Sequence, residues 1–414
     1  MSLFEKLVRI TKNQILNIRK KLLKLPVSTP SFSSMTLGMD DVLIAKKWLQ
    51  NHCQWENHEI VSQYEKEFAK WNGSEYAFAF MGGRVALSSI IYALNLKSED
   101  EVILPGYSCV VVPNAFQYEG IKPVYSDIEL ETYGLDASLL ENKITTKTKA
   151  IMLHHLYGLV CRDYEKIIEI AKKYNLKLIE DCAHSTGAVF KGKKVGNYSD
   201  AAFYSSEQSK IFTTIQGGLA VTNNYCIAKK IREYYDGASY PDRIWIDKQL
   251  NSVIYNYYSY KHPHRWLLGD IFALKLRHKL LISTTYEEEC GVKPVNYGCK
   301  MPSPIAAIGL NQLKKIDIYN AIRLKNSTYW DNWCEKNGYH KPLVINGSIP
   351  VFLRYPVMVE PEKKRDTIWA LKKLKVNLGK WFVSNIHPSN RPVKDCPNAD
   401  KAVSQCINFP GLLM

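Results

Sequence analysis

The sequence predicts an α/β protein, a large domain built on a mainly parallel sheet flanked by helices and followed by a smaller α+β C-terminal domain. Three observations carry that prediction. Short β-rich runs, "YAFAFM" at 76–81, "EVILP" at 101–105, "KPVYSDI" at 122–128, "KAIMLHHL" at 149–156 and "LKLIED" at 176–181, alternate with helical patterns at 85–94 and 164–174. That rhythm is the mark of right-handed βαβ crossovers. The chain has 414 residues, 46% hydrophobic and 23% charged, which supports a sizeable core and excludes disorder, collagen-like repeats and a fibrous rod. Past residue 235 the alternation stops, and the pattern resumes as a helix from 303 to about 319 and a strand-like run "PVFLRYPVMV" at 350–359.

In chain order, residues 1–35 read as a basic N-terminal extension. Lys6, Arg9, Lys12, Arg19, Lys20, Lys21 and Lys24 face Glu5 alone, a large part of the formal net charge of +15. Phe4, Leu7, Val8, Ile15, Ile18, Leu22 and Leu25 recur at helical spacing. Such a basic amphipathic helix over 1–25 suits either an anionic membrane surface or a docking face on its own protein or a partner. A nucleic-acid partner is not expected, because no helix-turn-helix, finger or RNA-binding signature accompanies the charge. Residues 36–235 read as the large domain, 236–297 as an aromatic and basic insertion rich in Tyr, Trp, His and Lys, and 298–414 as the small domain. The ten cysteines, Cys53 to Cys406, show no paired spacing, as expected of thiols in a reducing compartment. No apolar run spans a bilayer and no secretory leader is evident, so the expected setting is cytoplasmic, with membrane association through residues 1–25.

Three loops at strand ends carry the chemistry. In "FMGGRVAL" at 80–87, Gly82 and Gly83 open a helix at a strand end. This is either an ordinary turn or a phosphate cup of free backbone N–H groups, with Arg84 as a further contact. In "LIEDCAHS" at 178–185, a buried strand ends in Glu180 and Asp181, with His184 following. Asp181 serves there either as a helix cap or as a functional carboxylate. In "FYSSEQSKIFTTIQGGLAV" at 203–221, Lys210 is either a surface charge or a buried amine able to condense with a carbonyl as a Schiff base. Taken together, a phosphate cup, a carboxylate and a Schiff-base lysine fit pyridoxal phosphate. His154 and His155 are read as packing residues, and no metal site is expected at them or at "HPH" (262–264).

These motifs, with "DEVILPGYSCVVVPNAFQYEGIKPVYSDIELETYGLD", "TKTKAIMLHHLYG", "LKLIEDCAHSTGAVFKGKKVGNYSDAAFYS", "GGLAVTNN" and "YGCKMPSPIAAIGLNQLKKID", make the chain resemble the DegT/DnrJ/EryC1/StrS family of pyridoxal-phosphate-dependent sugar aminotransferases, of aspartate aminotransferase fold type I. The resemblance implies that Lys210 bonds the cofactor and Asp181 partners the pyridine nitrogen. It also places His184 near the cofactor ring, Ser205 on the phosphate, and Gly83, Arg84 and Val85 in the phosphate turn. Cys109 stands where many members place a ring-stacking aromatic, and Arg84, Gln216, Gly298 and Lys300 also depart from the family pattern. The activity implied is transfer of an amino group from an amino acid, glutamate or glutamine, to a keto-sugar, nucleotide-linked, for amino-sugar, polysaccharide or O-antigen biosynthesis, in a homodimer. Two alternatives stand beside it: a sugar dehydratase of the same family, disfavoured by the presence of Lys210, and a non-catalytic, membrane-docked scaffold that binds the cofactor.

Overall fold

The computed structural model describes residues 32, 33, 35–262, 264 and 286–413. The amphipathic helix expected over 1–25 lies outside them, as does much of the aromatic and basic stretch after 262.

Among the described residues, seven strands form the central sheet: β1 (Tyr76–Phe80), β2 (Glu101–Pro105), β3 (Lys122–Ser126), β4 (Thr148–His154), β5 (Lys177–Asp181), β6 (Ala201–Ser205) and β7 (Gly218–Thr222). Their order is β1-β7-β6-β5-β4-β2-β3. β2 to β6 run parallel to one another, while β7 runs antiparallel to both β1 and β6. The strands alternate between two cores, as the two-residue side-chain period requires. Ala77, Ala79, Ile151, Leu153, Tyr204, Leu219 and Val221 face one core, and Phe78, Phe80, Ala150, Met152, Phe203 and Ala220 face the other. Both faces are covered, which explains why the strand runs lack polar alternation.

The first face is covered by α1 (Met39–Leu49) and α2 (His58–Asn72), the second by α3 (Gly83–Ala93), α4 (Val111–Gln117) and, later in the chain, α6 (Tyr225–Gly237), with α5 (Tyr164–Lys173) on the first face. Their ends follow capping rules. The Asn57 side chain accepts the Glu59 N–H, and α2 stops at Gly73 in the left-handed region, φ 78°. Asn224 caps α6 by accepting the N–H groups of Cys226 and Ile227.

The stretch expected as an insertion begins with α7 (Arg243–Asn256), whose Ile246, Leu250 and Val253 are fully buried in the first core. Further on, the single helix expected from 303 to about 319 is two: α9 (Ser303–Leu313) follows the short α8 (Tyr286–Glu289), and α10 (Ile316–Asn337) starts after a break. The apolar period runs through both, so the sequence does not announce the break. The Lys315 ammonium there reaches back to Asp41, 2.8 Å away in α1. α9 packs against α1 and α2, so the sheet's core draws on residues well past 297. A third core, with Tyr107, Trp330, Tyr355, Phe382 and Phe409, unites α10, β8 (Arg354–Met358), α11 (Pro397–Gln405) and β9 (Cys406–Pro410). β8 and β9 pair antiparallel.

Candidate active site

The carboxyl ends of parallel strands are where ligands bind in such sheets, and the loops after β1, β5 and β6 converge there on a cavity of about 310 Å³. Gly82, Gly83, Arg84, Cys109, Asp181, His184, Ser205 and Lys210 all line it. Val85 does not: its side chain is buried in the second core and its N–H bonds the Gly82 carbonyl at 3.1 Å.

At one end of the cavity α3 begins. Gly82 is its N-cap and provides no side-chain acceptor, so the helix N-terminus keeps donors and a positive dipole end for an anion. The turn sits close to β7 and β6. A Cβ on Gly218 would lie 2.4 Å from the Gly83 nitrogen, and one on Gly83 would lie 3.1 Å from the Ser205 Cβ. The glycines therefore bring the helix start and the Ser205 hydroxyl to one point. Arg84 is ion-paired at 2.8 Å with Glu288 of α8, itself 1% exposed.

Asp181 ends β5. Its Oδ1 accepts the Ala183 N–H at 2.9 Å, and burial pushes its carboxyl up to about 6, the Ala183 N–H and Lys210 pulling the other way. A carboxylate so placed is completed by a cation. Glu180, its neighbour, points the other way into the core and is fully buried. Its Oε2 accepts from Tyr164 Oη at 2.5 Å, the Gly196 N–H at 2.6 Å and His155 Nε2 at 3.1 Å. His155 Nδ1 accepts the Cys161 N–H, which leaves the proton on Nε2. Burial raises Glu180, but these donors outweigh it and its pKa is lowered. Although the ligand atoms of His155, Glu180 and Cys182 lie within 4.8 Å of one another, His155 and Glu180 are committed to this network.

Lys210 lies in the loop between β6 and β7. Burial lowers its pKa, while Glu207, Cys109 and Asp181 raise it. The loop is held on several sides: Thr214 N–H bonds the Ser206 carbonyl at 2.9 Å, Gln249 of α7 donates to the Thr214 and Gln216 carbonyls, and buried Arg323 of α10 donates to the Ile211 carbonyl at 2.7 Å. Ile215 takes φ 72°, a costly conformation for a β-branched residue that only a well-anchored loop sustains. His184 is kept neutral, its pKa well below the usual value through burial, Lys210 and Arg354. Its Nδ1 accepts the Tyr157 N–H at 3.3 Å, so Nε2 carries the proton. The Cys109 thiol is pushed up by burial, against the pull of Lys210, and is no thiolate nucleophile.

The sequence reading missed the cavity's far wall. Trp381, Phe382 and His387 come from a segment with no spacing signal and line the same cavity. The Trp381 indole stacks on His184 at 5.1 Å and 14°, and Lys210 Nζ lies 5.1 Å from its centroid. Its backbone is pinned by Tyr157 Oη donating to the Trp381 carbonyl at 2.6 Å and by the Trp381 N–H donating to Asn408 at 2.9 Å.

The family model for the DegT/DnrJ/EryC1/StrS aminotransferase family matches residues 40–412. A GDP-perosamine synthase of Escherichia coli O157:H7 is 38% identical over 200 residues, 48% of this chain and 53% of that protein. The chain thus spans about half the length of that relative. An uncharacterized protein of Methanocaldococcus jannaschii is 28% identical over 84% of each chain. Among solved structures, an aminotransferase from Psychrobacter cryohalolentis superposes with a TM-score of 0.70 at 25% identity, over 93% of this chain and 94% of that one.

Proposed function

From membership of the DegT/DnrJ/EryC1/StrS aminotransferase family, to which the chain belongs, we propose that this protein is a pyridoxal-phosphate-dependent aminotransferase that carries an amino group from an amino acid to a nucleotide-linked keto-sugar. The observation that carries the reading is the convergence of Lys210, Asp181 and the uncapped start of α3 on one cavity. The residues fit the cofactor. The helix start and Ser205 suit its phosphate, and the raised Asp181 carboxyl awaits a ring cation. The missing Cβ of Gly218 leaves the backbone room the turn needs.

Bound there, pyridoxal phosphate supplies an aldehyde that exchanges amines and a ring that accepts an electron pair. Lys210, its pKa lowered by burial, would hold the aldehyde carbon through its amine and, when free of it, would carry the proton at the donor's α-carbon. Asp181 would partner the ring nitrogen and keep a proton on it. His184 presents Nε2–H as a neutral donor, and Trp381 excludes water above it. The anchored loop keeps the Lys210 nitrogen in place through both half-reactions.

The GDP-sugar name of the Escherichia coli relative supports a nucleotide-linked sugar, and a role in surface polysaccharide or O-antigen assembly is proposed with it. Glutamate or glutamine is the proposed donor, and a homodimer the proposed assembly. Among the described residues no helix is long and apolar enough to cross a membrane. Residues 1–25 are proposed as a peripheral membrane contact of a cytoplasmic enzyme, tested by liposome flotation with and without them.

The main test is absorbance. Adding pyridoxal phosphate should give a visible band with wild type and not with Lys210→Ala, and L-glutamate or L-glutamine should bleach it toward the ultraviolet. A wild-type protein with no band, or a band that no amino donor moves, refutes the reading.

A further inference from the structure

The backbone of Trp381 and Phe382, on the cavity's far wall, is tied down at every polar group. Trp381 N–H donates to Asn408 of β9 at 2.9 Å, and the Trp381 carbonyl accepts from Tyr157 Oη at 2.6 Å. Phe382 N–H donates to Tyr107 Oη at 2.8 Å, and the Phe382 carbonyl accepts from Lys364 Nζ at 2.9 Å. All four partners are buried and come from four separate stretches of chain. Buried polar groups find partners as a rule; here four of them serve one pair of residues that lines the cavity.

Two of the four are joined. Tyr107 Oη and Tyr157 Oη lie 3.0 Å apart, and the outer bonds fix which of them donates. Tyr157 gives its one proton to the Trp381 carbonyl, so Tyr107 gives its own to Tyr157 while accepting from Phe382 N–H. The bonds run in one direction, from Phe382 N–H through both phenols to the Trp381 carbonyl, and burial holds both phenols protonated. Tyr157 also reaches this wall's neighbour by its backbone. It takes φ 59°, in the left-handed region that a non-glycine residue occupies at a cost, and there its N–H donates to His184 Nδ1 at 3.3 Å. One residue thus holds His184 twice, at the ring edge through its N–H and at the ring face through Trp381, whose indole stacks on the imidazole at 5.1 Å and 14°.

We propose that Tyr157 is a positioning residue for His184: its N–H sets which imidazole nitrogen keeps the proton, and its hydroxyl, in circuit with Tyr107, keeps the Trp381 indole on the imidazole so that Nε2–H stays aimed at the cofactor. This rests on the reading of the cavity as the cofactor site, for it names what holds a donor there before the cofactor arrives. The charged and titratable groups around His184, which are Lys210 of the β6–β7 loop, Arg354 of β8 and His154 of β4, all act with burial to keep it neutral. Loosening the indole admits water and relieves that burial.

Two measurements on the full-length protein test the proposal. The first is nitrogen NMR of ring-labelled histidine in cofactor-free protein, with the His184 signal assigned by its loss in His184→Gln. Wild type should show a neutral imidazole protonated on Nε2 from about pH 8 down to about pH 5. In Tyr157→Phe the His184 ring should exchange between tautomers and take its second proton at higher pH, nearer the ordinary histidine value. Tyr107→Phe, which opens the circuit one bond away, should shift it the same way by less. Tyr133→Phe is the control: its ring packs on Tyr157 at 5.2 Å but stands outside the circuit, so it should leave His184 as in wild type. The second is the half-reaction with pyridoxal phosphate bound, where Tyr157→Phe should lower kcat by about 10-fold and leave KM for L-glutamate within about 2-fold, with Tyr133→Phe changing neither. An unaltered His184 signal in Tyr157→Phe overturns the proposal, as does a Tyr133→Phe shift of equal size, which would mark a general loosening of the core. If Tyr157→Phe does not fold, Tyr107→Phe decides by the same two readouts. If wild type has no half-reaction at all, the aminotransferase reading fails separately, and the NMR still decides whether Tyr157 fixes His184.

Discussion

Replacing Asp181 by Asn should stabilise the protein when the cofactor site is empty and weaken it when pyridoxal phosphate is bound. The side chains have the same shape, and Asn Oδ1 can still accept the Ala183 N–H that Asp181 accepts at 2.9 Å. What changes is the buried charge. With a folded-state pKa raised from 3.8 to about 6, the ionised carboxylate penalises the folded state by about 3 kcal/mol at most. The sign follows from proton binding. Between those two values the folded protein holds the proton that the unfolded chain has lost, so stability falls as pH rises through this window and the full penalty applies above it. Thermal melts of cofactor-free protein should therefore show Asp181→Asn melting a few degrees above wild type at pH 8, with the difference closing as pH falls toward 4. Saturating pyridoxal phosphate should raise wild type far more than the variant, because only the carboxylate pairs with a ring cation, and ligand binding adds to stability through its affinity. A cofactor-free variant that melts at or below wild type at pH 8 would refute the reasoning, as would an advantage that does not shrink with acid.

Glu180 should behave in the opposite sense. Its pKa is lowered by the His155, Tyr164 and Gly196 donors, so its contribution is present above the ordinary carboxylate range and is lost as pH falls through the lowered value. Glu180→Gln should cost about 2–4 kcal/mol near neutral pH, with chemical denaturation showing the gap to wild type narrowing in acid. Gly218→Ala should destabilise by about 1–3 kcal/mol and weaken pyridoxal phosphate binding, because the added methyl meets Gly83 N and Gly82 C; a fluorescence titration that finds wild-type cofactor affinity would contradict the close approach described here.

The parallel sheet was legible because both of its faces are covered: strands such as β4 and β5 carry their apolar runs in continuous blocks, and the helices between them carry a helical period. Asp181, His184, Ser205 and Lys210 were legible because Asp181 and Ser205 end strands and His184 and Lys210 lie in the loops that follow, where local sequence and strand direction together bring side chains to one end of the sheet. Chemistry encoded within one βα unit survives in the order of residues. The break between α9 and α10 was not legible, since the apolar pattern continues across it and only the tie from Lys315 to Asp41 of α1 marks it.

What the sequence by itself determined is thus the sheet, the family resemblance and the three loops that meet at the cavity. What only the tertiary structure decided is everything supplied from far along the chain. Trp381 stacks on His184, Arg354 lies between Trp381 and Phe32, and Gln249 and Arg323 brace the Lys210 loop. Val85 turned inward to the core and left the cavity to its neighbours. The reason is physical. A local motif is fixed by backbone geometry over a few residues. The partner of a buried charge or ring is fixed by packing between separate elements of the chain, and no spacing in the sequence records it.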